Sequence, residues 1–409
     1  MSDDPRAQYA HRLAALADDA PVRAALARIG ERRRWWDPTT PWARTYGRFM
    51  PGRSPYATLV FEASVPRQQL VHVEVSAERP VATGETAAYE CDETLGWLRV
   101  SRIEADPALP GLAPLLAQPG AVHVVRYRPG RRCTLRVTHG GVTRYAKVFN
   151  DDAGARLYEE GEWLWRAGLA GEFGFTVARP ERWDAATRTL WHHEVAGVPV
   201  LEELHGPSAA GLVERLGRAA ASITRTTLEP SLVFDGSSQV DRSRRYVKEL
   251  SRTVPRLAPI AVTLLERLAV VHRSLGYRLL RPIHGAPHPS QWLLSGGGLG
   301  LVDFDRLSLG DPELDAATFL GELEFEDGLT LPADGLGARF LEAYESVHGP
   351  LDHQLLAAYR AHKRLAKALR LARSFTANGD VRAERTLDLA LSDLAQRNAP
   401  TELSMAEVV

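Results

Sequence analysis

Residues 284–294 read HGAPHPSQWLL and residues 301–305 read LVDFD. Between them stands SGGG at 295–298, so the stretch predicts two short apolar strands, Gln291–Leu294 and Gly300–Phe304, joined by a tight turn. Asp303 ends the second strand and is followed by Phe304 and Asp305. Two carboxylates on one face of an extended backbone are costly to bury without a cation or hydrogen-bond donors. Five residues after Ala286, Gln291 supplies a neutral carbonyl oxygen, which suits a hard cation. His284 and His288 flank Ala286. His284 reads as an anchor for its loop; His288 reads equally as a loop anchor or as a group facing a ligand.

Towards the N-terminus, residues 122–137 read VHVVRYRPGRRCTLRV. Two apolar stretches around RPGRR predict a β-hairpin whose basic tip holds Arg128, Arg131 and Arg132. A turn at His139–Gly141 leads to a third strand, RYAKVF (144–149), which carries Lys147. The chain has 50 Lys and Arg residues, yet only Lys147, Lys248, Lys363 and Lys367 are lysines, so each stands out against a bias to arginine. Asp151 and Asp152 occupy the expected N-cap and first turn of a helix over Ala153–Leu169. An ammonium on a small sheet either snorkels to water or meets an acid or a phosphate. Glu159, Glu160 and Glu162 on that helix are the available acids, with Glu160 the first choice. Thr189–Glu194 reads as a further strand before the breaker AGVP at 196–199.

The chain has 409 residues, a net charge of −1 and 25% charged residues. That length allows two or three packed units. The balanced charge offers no field to draw in nucleic acid or a membrane surface. No run of about 18 apolar residues predicts a membrane span, and the N-terminus lacks the apolar core of a signal peptide, so a cytoplasmic protein is expected. Cys91 and Cys133 are too few for a disulfide framework or a four-cysteine zinc site. Residues 1–118 open with helical periodicity from Tyr9 to Ile29, continue with strand-like stretches at 56–63 and 70–75, and close in a Pro- and Gly-rich connection at 106–120. Residues 119–198 hold the small sheet and its helix. Residues 199–409 are mostly helical, with amphipathic patterns over 208–224, 255–275, 318–324 and 351–374. A small antiparallel sheet followed by a helical lobe, after an extra N-terminal α/β region, predicts a two-lobed α+β architecture.

Taken in this order, the residues resemble the aminoglycoside phosphotransferase family, the kinases of antibiotics and other small molecules that include choline kinase-like enzymes and have a protein-kinase-like fold. The resemblance covers roughly residues 122–375. The family's catalytic loop, HGDxHPxN, is matched by His284, Gly285, His288 and Pro289, and its metal motif by Asp303, Phe304 and Asp305. Its GDPxxD stretch is matched by Gly310, Asp311, Pro312 and Asp315, and its VAK-type strand by Ala146, Lys147 and Val148. The segment around Glu194 resembles the hinge where backbone groups meet adenine. The resemblance implies phosphoryl transfer from ATP, or another nucleoside triphosphate, with Mg²⁺ held by Asp303 and Gln291. It implies Lys147, paired with Glu160, on the phosphates, and Arg128 and Arg131 close by. His284, Asp305, Asp311 and Asp315 would then hold the loops in place.

Two positions depart from the pattern. Gln291 replaces the usual Asn, a longer amide that still offers an oxygen. Ala286 replaces the catalytic Asp, which in the family accepts a proton from the acceptor hydroxyl or orients it. Loss of a positioned base typically costs about 10²–10⁴-fold in rate. Three readings of Ala286 stay open: a substitution introduced to trap a complex, a native pseudokinase that binds without transferring, or slow transfer in which His288 or Asp305 takes the proton. Residues 1–118 lie outside the family's core and are expected to recognise a substrate or a partner enzyme. The expected acceptor is a hydroxyl of a small molecule, with a peptide second. The acidic stretch GELEFEDG at 321–328 suits a cationic acceptor, and the basic helix HKRLAKALRLAR at 362–373 an anionic one.

Overall fold

The computed structural model describes residues 14–52, 54–64, 67–80, 86–276, 278–327, 329 and 332–396. By its packing the chain divides into two compact units. The first takes in residues up to Trp165, then Ala178–Glu194 and Arg373–Gly379; the second takes in Arg166–Val177, Val195–Ala372 and residues from Asp380 on.

The first unit opens with α1 (Ala20–Arg33), which carries Pro21 in its first turn, where a missing N–H costs nothing. Periodicity predicts this helix from Tyr9, but it starts at Ala20, behind a single 3₁₀ turn at Ala14–Ala17. Asp18 is the reason: its side chain accepts from Ala20 N at 2.9 Å, a local turn that separates the two segments. The expected start, Tyr9 to Leu13, lies outside the described residues. Five antiparallel strands follow, β1 (Ala43–Met50), β2 (Tyr56–Ala63), β3 (Gln69–Ser76), β4 (Ala87–Asp92) and β5 (Gly96–Arg102), in the order β1-β2-β3-β5-β4. Strand β2 is buried on both faces. Its Ala57, Leu59 and Phe61 pack with Leu26 and Ile29 of α1, while Val60 points into a second core.

That second core belongs jointly to another antiparallel sheet. Its strands are β6 (Ala121–Arg128), β7 (Arg132–His139), β8 (Val142–Phe149), β9 (Pro180–Asp184) and β10 (Thr189–His193), in the order β9-β10-β8-β7-β6. Leu135, Val137, Ala146, Val148 and Trp191 fill the space between the sheets. The N-terminal segment also fastens the edge strand β6. Gln68 accepts from Val124 N at 2.6 Å and donates to Val124 O at 3.0 Å, so a side-chain amide imitates a strand partner beside the bulge at Val124–Arg126. Asp106 accepts from Tyr127 Oη and from Gly130 N, both at 2.8 Å. Gly130 sits in the β6–β7 turn with φ of 65°, a left-handed conformation that glycine adopts freely. Helix α2 (Ala153–Leu169) follows β8, and Asp151 accepts from Ala153 N at 3.1 Å in a local turn that leads into it.

The second unit is built from α3 (Ala209–Ser222), α4 (Gly236–Thr253), α5 (Ala258–Ser274), α6 (Pro312–Leu323), α7 (Ala333–His348), α8 (His353–Arg373) and α9 (Gly379–Gln396). Short strands β11 (Arg281–Ile283), β12 (Trp292–Ser295), β13 (Gly298–Leu301) and β14 (Ser308–Gly310) carry the site residues. Leu250, Leu264, Leu268, Leu365, Leu387 and Ala390 form the core of α4, α5, α8 and α9. Two expectations are corrected here. Strand β12 starts at Trp292, because Pro289–Gln291 form a 3₁₀ turn. Strand β13 ends at Leu301, because Asp303 takes φ of 69°, which a strand cannot hold. Asp303 and Asp305 therefore do not share one face of an extended backbone.

A buried polar chain crosses this helical core. Ser243 Oγ lies 2.6 Å from His362 Nδ1, and His362 Nε2 lies 3.0 Å from His272 Nε2. Burial pushes His272 down to about 4 and His362 well below its ordinary value. The folded chain keeps these rings neutral, while the unfolded chain takes up protons as pH falls below about 6.5. The contribution of His272 is intact above that pH and is lost on the way down to about 4, and that of His362 falls in the same direction. Buried Asp315, pushed up to about 6, acts in the opposite sense over roughly the same window. Replacing His272 by Gln isolates one share: the fall in Tm between pH 6.5 and 4.5 should be shallower in the variant than in the parent chain.

Candidate functional site

Strand β11 delivers His284 to a turn that requires Gly285. This residue has φ of 80°, and a Cβ on it would stand 2.3 Å from Arg306 O. Glycine thus lets segment 284–288 lie against segment 304–306. His284 locks the two together. Its Nε2–H donates to Val302 O at 3.2 Å, its Nδ1 accepts from Ala286 N at 3.3 Å, and its ring leans on Phe304 with centroids 4.5 Å apart. These partners assign a neutral tautomer. Burial holds its pKa down at about 4.

Helix α6 supplies the support from below. Asp315 accepts from His284 N and Gly285 N, each at 2.8 Å. Burial pushes its carboxyl up to about 6, against the pull of these two donors. Asp311 and Glu313, also raised by burial, are gathered by Arg278, which reaches Asp311 at 3.2 Å, Glu313 at 2.8 Å and Asp352 at 3.2 Å. Tyr359 Oη donates to Asp311, and Asp352 N donates to Glu313 at 2.9 Å. Replacing Arg278 by Met leaves two buried carboxylates without their cation. The variant should lose about 3 kcal/mol of stability, read by chemical denaturation. A change under about 0.5 kcal/mol would show that the carboxyls are neutral in the folded chain.

Gln291 and Asp303 come together at the front of this frame. Gln291 Oε1 accepts from His288 N at 3.0 Å, and Gln291 Nε2 lies 3.3 Å from Asp303 Oδ2. The pair can offer a cation one carboxylate and, after the amide turns over, one neutral oxygen. Mg²⁺ is content with one or two such oxygens and keeps several waters. Ala286, 6% exposed, presents only a methyl group beside them. His288 Nδ1 lies 3.5 Å from Glu322 Oε1, and burial pushes its pKa down to about 4. Asp305 stands in the turn closed by Leu307 N donating to Phe304 O at 3.0 Å.

The remaining sequence candidates belong to the first unit. Lys147 sits in β8, opposite Thr134 on β7 and Leu190 on β10. Glu160 is buried on α2 and pairs with Arg156, one turn earlier. Arg128 and Arg131 bracket the β6–β7 turn, where Arg131 N donates to Arg128 O at 3.0 Å. Glu194 follows β10, with a carboxylate oxygen 3.5 Å from Arg136.

The acidic stretch 321–328 and the basic helix 362–373, read from sequence as rival acceptor sites, meet near the second unit's site. Glu322 joins His288 to Arg370, which reaches the same oxygen at 3.3 Å. Glu324 pairs with Arg364 at 2.8 Å and Arg360 at 3.5 Å. Two acids of the stretch 321–328 are therefore already matched by helix α8, and Gly328 lies outside the described residues. Arg242 and Arg306 both stack on Phe234, at 4.9 and 4.8 Å from the ring centroid. The scarcity of lysine was a signal for Lys363; in so arginine-rich a chain nothing singled out Arg242.

The sequence model of the phosphotransferase enzyme family (APH) matches residues 132–362. No curated protein sequence matches the chain. Among solved structures, a putative aminoglycoside phosphotransferase from Ralstonia eutropha is similar, with 15% identity and a TM-score of 0.51 over 71% of this chain and 98% of that one. A choline kinase from Streptococcus pneumoniae has 16% identity and a TM-score of 0.49, over 69% of this chain and 95% of its own. An aminoglycoside-3'-phosphotransferase of type VIII has 23% identity and a TM-score of 0.49, over 63% and 99%. The Ralstonia structure shows the α+β protein-kinase-like fold. Among the described residues, no helix is long and apolar enough to cross a membrane.

Proposed function

The chain belongs to the APH phosphotransferase enzyme family, and from that premise we propose that it moves the terminal phosphoryl group of ATP, or another nucleoside triphosphate, to a hydroxyl of a small molecule. The observation that carries this reading is the meeting of Gln291 with Asp303, 3.3 Å apart, on a frame pinned by His284 and Asp315. Asp303 and a turned Gln291 would hold Mg²⁺, which when bound draws charge off the phosphates. In the first unit, Lys147 with Glu160, and Arg128 and Arg131, are the candidates for the phosphates, and the Glu194 segment is the candidate for the base. The reaction forms a bond from the acceptor oxygen to the terminal phosphorus and breaks that phosphorus's bond to the bridging oxygen. The hydroxyl proton must leave, and Ala286 offers nothing to take it. Slow transfer is the expected behaviour of the chain as it stands, in the cytoplasm, where the nucleotide and Mg²⁺ are abundant.

The methyl group of Ala286 favours a second reading. The same residues would then bind a nucleotide without transferring phosphate, and residues 1–118 would receive a peptide or a partner enzyme. Incubation with ATP, Mg²⁺ and a panel of hydroxyl acceptors, followed by ³¹P NMR, separates the two. A new phosphoester signal supports the first reading. Unchanged ATP, together with tight nucleotide binding, supports the second.

A further inference from the structure

Beside the catalytic segment, three cations gather without anions to match them. Arg242 comes from α4, Arg306 directly follows Asp305, and Lys363 comes from α8. Among the described residues none of the three makes an ion pair within 4.0 Å, although arginines pair widely elsewhere, Arg278 with three acids. The two guanidinium groups share the Phe234 ring, at 4.9 and 4.8 Å. Nη2 of Arg306 is closed off from solvent and donates to no described acceptor.

The carboxylates that could answer them are already engaged. Asp315 takes the backbone N–H groups of His284 and Gly285. Glu322 holds His288 and Arg370 through one oxygen. Like charges gathered in a partly buried place, without a counter-ion, are strongly unfavourable. The strain is visible in the groups themselves. Burial, then Arg306 and Arg242, hold the Lys363 amine well below the lysine range, and burial with Arg242 pulls Arg306 down to about 10. The positive charges of Lys363, Arg370 and Arg306 also act on His288, which places the cluster's field on the catalytic segment.

Resting on the phosphotransferase reading, we propose that Arg242, Arg306 and Lys363 form an anion subsite for the acceptor, so that the hydroxyl compound this protein phosphorylates carries a phosphate, sulfate or carboxylate group. Two planar forks and one compact ammonium suit such an oxyanion. All three side chains are half-buried, which a small ligand can reach and a broad macromolecular surface cannot. The matched state of Glu322 and Glu324 leaves less for a polyamine to bind.

The test uses the full chain without nucleotide, in a chelating buffer, titrated with inorganic phosphate or sulfate at constant ionic strength. Tm should rise with either anion and stay flat with chloride. Arg242→Gln and Lys363→Gln should each weaken that response at least about 10-fold. In anion-free buffer the same variants should melt at the parent's temperature or above it, because one repelling charge is gone. An absent response, a response that survives both variants, or variants that melt lower without anion would overturn the subsite. Because no nucleotide is present, failure of nucleotide binding at Asp303 leaves this result standing. Efficient transfer to a neutral or polycationic acceptor, in preference to anionic ones, would sink the subsite and leave the phosphotransferase reading intact.

Discussion

Replacing Ala286 by Asp should raise the rate of phosphoryl transfer by about 10²–10⁴-fold, equal to about 3–5 kcal/mol of barrier. The frame around position 286 is ready for a carboxylate. Its backbone N–H is fixed by His284 Nδ1, and the neighbouring turn is tied to Asp315. The gain should appear in kcat, with the nucleotide KM almost unchanged, because an acceptor for the hydroxyl proton matters only once the nucleotide is bound. Steady-state transfer on both proteins, against the same acceptor panel, checks this. Equal rates would mean that the proton already has another destination, or that transfer is not what this site does. The melting temperature of the variant is the control, since the new carboxylate enters a position that is 6% exposed.

The opposite effect is expected at Asp303. Asp303→Asn keeps the size and the hydrogen-bonding shape but removes the charge, so transfer should fall at least about 10²-fold. Stability should not follow. Asp303 holds φ of 69°, a left-handed conformation that Asn tolerates well, and its neighbour Gln291 can turn its amide to suit. A variant that melts normally yet no longer needs Mg²⁺ for the little it binds would place the metal on this carboxylate. A variant that unfolds would recast Asp303 as a structural residue, and one that transfers at the parent rate would remove it from the chemistry.

Local signals explain which parts of the fold were legible. The hairpin around RPGRR and the helix Ala153–Leu169 are written in neighbouring residues, and they stand where the spacing put them. Helix α4 was not legible, because its buried face includes Gln239 and Ser243, which erase the apolar stripe. The end of β13 was hidden for a different reason: an apolar run looks like a strand until one residue, Asp303, leaves the extended region. In the site, the segment 284–315 is compact in sequence, so its order of motifs could be recognised as a set. Arg278 with its three acids, and the cluster of Arg242, Arg306 and Lys363, are assembled from helices and connecting segments that are separated along the chain. In a protein so rich in arginine, no single arginine announces such a role. The service that Gln68 and Asp106 give to strand β6 was equally silent, since it depends on two sheets sharing one core.

The most direct measurement is a calorimetric titration of the unaltered chain with ATP, once with Mg²⁺ and once with chelator. A single site at least about 10-fold tighter with the metal is the predicted result. Binding that ignores the metal, or no binding in either buffer, would contradict a nucleotide site built on Gln291 and Asp303.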